Sequence, residues 1–200
     1  MLERSLRLAL RNYVTLFLFA AAATVTIHLV YLFLFRDVAG VTELHDAIEA
    51  FPPRRQVRGV GRSDLTAWRV GAVVVLALEI ALVPLLAKGA SRVLEQDEGG
   101  EMPTVMDALR ATWRGGYPWF PSLRNAGPLF VTACLAIVIW FLVRTTGGLF
   151  VEPLGADVTW AALAVVEGAA RAAGAPFVLV SVVLRKSRPK GPEGLTPTSY

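Results

Sequence analysis

Four stretches of this chain stay apolar for about twenty residues, the length a helix needs to cross a bilayer. They run at about 13–35, 67–87, 126–143 and 159–184, with polar residues gathered in blocks between them. Hydrocarbon offers no water to free backbone amides, so a spanning segment must be a helix or part of a closed barrel. Continuous apolar runs, rather than apolar–polar alternation, select helices. The expected fold is all-α: a four-helix transmembrane bundle with short amphipathic helices at the membrane interface.

Two short segments show the 3.6-residue period instead. In "TELHDAIEAF", Leu44, Ala47, Ile48 and Phe51 fall on one face, Thr42 is placed to cap the helix, and Pro52-Pro53 ends it. In "TVMDALRATWR", Thr104 with Asp107 has capping-box spacing. There Val105, Met106, Leu109 and Trp113 share one face and Asp107, Arg110 and Arg114 another, as in a helix lying on a membrane surface. Residues 189–200 combine Pro, Gly and charge without an apolar period, and are expected to form a disordered tail.

Composition agrees with this pattern. Hydrophobic residues make up 54% of the 200 residues and charged ones only 18%. A soluble domain carries more charge than that. The net charge of +4 fits basic loops facing an anionic leaflet better than it fits nucleic acid, which is not an expected partner. The first apolar run follows Arg4, Arg7 and Arg11 and is too long for a signal peptide, so it reads as an uncleaved first helix.

Basic residues outnumber on the side holding the N-terminus, the second connection and the tail, through Arg4, Arg7, Arg11, Lys88, Arg92, Arg110, Arg114 and Arg185 among others. The positive-inside rule therefore places both termini in the cytoplasm of a bacterial-type plasma membrane. The arginines of "PPRRQVRGVGR", and Arg144, fall on the opposite side and oppose that assignment. Trp68 and Trp160 are expected at the outer interface, and Tyr117, Trp119 and Phe120 at the inner one.

The candidate site is the ionisable content of the spans: His28, Glu79, Glu167 and Arg171. Each such group costs on the order of 2.5–3.5 kcal/mol to insert, and by default faces the bundle interior with a partner. With about 1.5 Å of rise per residue, Glu79 and Arg171 lie at matching depths and His28 lies near Glu167. Glu167 and Arg171 also form an i,i+4 pair. Two glutamates then face one arginine, so either one glutamate is protonated or His28 is charged.

Small residues mark close helix packing. Ala164, Gly168 and Ala172 recur every four residues, as do Ala170 and Gly174. Spans two and four also align without gaps: Trp68 with Trp160, Glu79 with Arg171, Pro84 with Pro176. A duplicated two-helix unit explains this, and the paired prolines predict paired kinks.

Enzyme chemistry finds little support. The phosphate-cradling GxxxxGK[ST] pattern is absent, and His28 and His45 form no HExxH pair. The lone Cys134 reads as a buried inert thiol. No cofactor or metal is expected.

From about Pro84 to Lys186 the chain resembles a broad group of bacterial integral membrane proteins. That group is loosely related to the membrane domain attached to some glycerophosphodiester phosphodiesterases. The likeness lies in "PLLAKGASRVL", the Gly99-Gly100 turn, "TVMDALRATWR" and "APFVLVSVVLRKSR". It implies a helical membrane domain and carries over no catalytic residue. "LRKSR" departs from the tyrosine-rich ending common in the group.

The expected function is a non-enzymatic membrane scaffold or accessory subunit. Its expected partners are the bilayer and a membrane protein or a second copy of the chain. A small transporter or channel using the Glu/Arg site, and a membrane-embedded lipid-binding protein or lipid enzyme, stay open.

Overall fold

The computed structural model describes residues 2–34, 62–114, 127–151 and 156–186. Regular structure among these residues is helical: α1 (Leu2–Arg11), α2 (Tyr13–Leu34), α3 (Arg62–Glu98), α4 (Val105–Trp113), α5 (Gly127–Val151) and α6 (Ala156–Lys186). Helices α2, α3, α5 and α6 are long and apolar enough to cross a membrane. The chain is a membrane-embedded helical bundle. The expected helix near 42–53, the ring cluster Tyr117, Trp119 and Phe120, His45 and the tail 189–200 lie outside the described residues.

An apolar helix in lipid cannot show its packing face by hydrophobicity, because lipid is as apolar as a core. Its polar residues show that face instead. In α2 the buried positions are Leu16, Phe19, Ala20, Thr24, His28, Tyr31 and Leu32, a stripe at three- and four-residue spacing. It gathers Thr24, His28 and Tyr31, while Val14, Leu18, Val30 and Phe33 point outward. The Thr24 hydroxyl lies 2.8 Å from the Gly168 carbonyl of α6, and donates there what it could not give to lipid.

Helix α3 has 37 residues, about 55 Å at 1.5 Å per residue, against a hydrocarbon thickness of about 30 Å. Its apolar part exposes Val70, Val73, Val74, Leu76, Leu78 and Ile80. From Lys88 onward it turns polar. It ends at a turn in which Gly100 takes φ +75°, a conformation that favours glycine, and Glu101 N donates back to the Gln96 carbonyl at 2.9 Å. The chain then enters α4, where Thr104 accepts from Asp107 N at 3.2 Å and donates to its carboxylate at 2.8 Å. The Thr104 cap expected from the sequence is formed, with the Thr104 hydroxyl, rather than its backbone amide, meeting the Asp107 carboxylate.

The N-terminal residues, read from the sequence only as a basic flank, form α1. Ser5, Leu8 and Ala9 are buried. Asn12 joins α1 to α2: its side-chain amide donates to the Leu8 carbonyl (3.2 Å) and to Asp97 (2.9 Å). Arg11 Nε reaches Asp97 at 2.7 Å and Arg4 reaches Glu98 at 3.3 Å. Ser5 and Ser181 share a hydrogen bond of 2.7 Å. The N-terminal helix and the last turns of α3 and α6 therefore meet at one end of the bundle, which we call the terminal end.

Helix α6 is the hub. It packs against α1, α2, α3 and α5, most extensively against α2 and α5. Helix α5 has its main contact with α6 and exposes Phe130, Val131, Ile137, Val138, Phe141 and Leu142 to lipid. Cys134 lies on that exposed side, not in the core as expected. Trp68 also departs from expectation. It is 1% exposed, packed on Tyr31 with ring centroids 5.0 Å apart, and the Tyr31 hydroxyl donates to its carbonyl at 3.0 Å. The ring meets a helix neighbour before it can meet headgroups. Trp160 is half-buried against Phe33, 5.6 Å between centroids.

Candidate functional site

Glu167 and Arg171 lie one turn apart on the hub helix α6, about 6 Å along its axis. Their shared face was expected to pair them. The structure sends each to a different neighbour. Arg171 reaches Glu79 of α3, with Nη1 3.0 Å from Oε2. Glu167 is met by Arg144 of α5, Nε to Oε1 at 2.5 Å. The expected Glu79–Arg171 match in depth is realised. The expected Glu167–Arg171 pair is replaced, because α3 and α5 each bring an oppositely charged group to α6. His28, expected beside Glu167, has Nδ1 3.8 Å from Glu79 Oε1. That nitrogen is also 2.9 Å from the Thr24 carbonyl. A carbonyl only accepts, so Nδ1 carries the proton.

Arg144 changes the balance of charge. The apolar run stops at Val143, so the sequence alone placed Arg144 with the loop cations. In the structure α5 continues to Val151 and keeps Arg144 within the helix. Two guanidiniums now face two carboxylates, and the expected mismatch disappears. Each of the four membrane helices contributes: His28 from α2, Glu79 from α3, Arg144 from α5, Glu167 and Arg171 from α6. The side chain of Glu167 is 1% exposed and that of His28 4%.

Trp140 is a member the sequence did not suggest. The Arg171 guanidinium lies 5.5 Å from its ring centroid and that of Arg144 lies 6.0 Å away, both within cation–π reach. The signal was present: Trp140 and Arg144 are four apart and share a helical face. The Trp140 Nε1 and Arg171 Nε donors are buried with no hydrogen-bond partner. The ring face therefore offsets part of what the guanidiniums lose on leaving water.

The expected packing residues are all used inside the chain. A Cβ on Gly168 would sit 2.4 Å from Val25 Cα of α2, and one on Gly174 would sit 2.7 Å from Ala136 Cα of α5. Ala172 is fully buried. One stripe of α6 thus receives α2 and the other receives α5. Pro84 and Pro176 lie inside unbroken helices and are buried. Pro176 lies two residues beyond Gly174, and Pro84 five residues beyond Glu79.

The arrangement is a two-storey network of buried charge tying four helices to one another. Such a network can hold helix register, and its His–Glu corner can bind a proton. No protein family model matches this chain, and no curated protein or solved structure is similar enough to match it.

Proposed function

We propose that this chain is a non-enzymatic membrane scaffold or accessory subunit in a bacterial-type plasma membrane, with both termini cytoplasmic. The observation that supports this reading is the pairing of its buried charge: Arg144 with Glu167 and Arg171 with Glu79. A network in which each carboxylate faces a guanidinium suits a clasp better than a transit path. The wide lipid-facing side of α5 suits a helix that receives a membrane partner or a second copy of the chain. The resemblance of residues 84–186 to bacterial helical membrane proteins agrees with this role and adds no chemistry to it.

The test is Glu79→Gln. The clasp reading expects the purified protein to lose thermal stability and assembly. Normal folding with loss of a pH-dependent phenotype overturns it. Co-purification of a stoichiometric membrane partner supports the accessory role directly.

A small transporter is the second reading, favoured by His28 lying 3.8 Å from Glu79 in the membrane. A titratable ring beside a carboxylate is a unit that proton-coupled carriers use. Flux into proteoliposomes across a pH gradient, lost in His28→Gln, decides for it.

A further inference from the structure

At the terminal end, α3 and α4 enclose a cleft of about 360 Å³. Lys88, Arg92, Arg110 and Arg114 line it, with Ser91 between them and Glu95 and Asp107 at its walls. We propose that this cleft binds the phosphate of an anionic lipid headgroup.

The charges in the cleft are unevenly committed. Arg92 and Arg110 lie 3.5 Å and 3.6 Å from Glu95 and Asp107, longer than good hydrogen bonds. The Asp107 carboxylate is already engaged by the Thr104 hydroxyl and by the Gln96 amide at 3.1 Å. Among the described residues no carboxylate pairs with Lys88 or Arg114: the Lys88 ammonium donates to the Arg114 carbonyl and keeps further protons to give. Four cations against two carboxylates leave a net positive cleft. A phosphate with several acceptor oxygens is the ligand such donors suit.

Position selects a lipid over other phosphates. Lys88 is the first charged residue after the apolar part of α3, so the cleft opens where hydrocarbon gives way to headgroups. On α4, Met106 is 58% and Trp113 81% exposed, next to the basic side chains. Apolar and aromatic groups beside basic ones belong at the membrane interface.

Native mass spectrometry of the full chain, equilibrated in micelles with equal amounts of phosphatidylglycerol and phosphatidylcholine, tests this. Retention of phosphatidylglycerol is expected, falling about thirtyfold in Arg92→Gln/Arg110→Gln, at about 1 kcal/mol per basic residue. Both side chains are exposed, and unchanged helicity by circular dichroism confirms that the variant is folded. Arg4→Gln/Arg7→Gln removes equal charge from the same end and is expected to retain the lipid. An equal loss in that control means diffuse attraction and overturns the site. So does equal retention of both lipids, or a thermal shift from millimolar inorganic phosphate as large as that from phosphatidylglycerol.

Discussion

The two parts of α3 carry the same chemistry in opposite surroundings. Near its middle, Glu79 pairs with Arg171 with side chains 14% and 26% exposed. At its end, Glu98 pairs with Arg4 with side chains 57% and 68% exposed. At the exposed pair, water screens the charges and solvates either partner alone. At the buried pair, removing one partner leaves a charge that neither lipid nor protein can solvate. The worth of an ion pair in this bundle is therefore set by where the helix places it.

The hardest test of that contrast is Glu167→Ala. Its side chain is 1% exposed, and its loss removes the carboxylate facing Arg144. A destabilisation of about 3–5 kcal/mol is expected, read as a fall in unfolding temperature in micelles. A loss no greater than that of a surface pair erases the distinction. Gly168→Ala comes next. The added carbon would overlap the Val25 backbone, and forcing α2 from α6 is expected to cost about 1–3 kcal/mol.

Thr104→Ala probes the terminal end, where loss of the cap is expected to cost about 1 kcal/mol. It also carries a pH signature. The Thr104 hydroxyl foremost, then the Gln96 amide, hold the Asp107 carboxyl below its ordinary 3.8 against the opposing effect of desolvation, with Arg110 and Arg92 assisting. The stabilisation from this carboxylate is complete above 3.8 and is lost as pH falls through the lowered native value. A stability profile that steepens below pH 3.8 in the native chain and flattens in Thr104→Ala is the expected result. Smallest is Arg4→Gln, at about 0.2–1 kcal/mol and vanishing with added salt. An effect that survives salt shows that the terminal end is less like a surface than its exposure implies.

The four spans were legible because length and apolarity alone decide them. The α4 cap was legible because Thr104 and Asp107 need only local spacing. Glu79–Arg171 was legible from depth, since helix rise is fixed. What stayed hidden depended on direction around a helix axis. The sequence does not say that Glu167 turns toward α5, that Trp68 turns toward Tyr31, or that Cys134 faces lipid. An all-apolar helix offers no moment to orient it. Arg144 was hidden for another reason: it directly follows the last residue of the apolar run, where hydropathy ends the span, while the helix continues. Helix α1 escaped because its arginines dominate a segment whose Leu8 and Ala9 are core.

The hub position of α6 bears on the order of events during synthesis. It is the last of the four spans to leave the ribosome. Until it arrives, α2 lacks the backbone that Thr24 and Val25 meet, Glu79 lacks Arg171, and Arg144 lacks Glu167. The first three spans are thus synthesised before the helix that packs against each of them. A chain that stops before Glu167 lacks both the carboxylate that faces Arg144 and the guanidinium that faces Glu79.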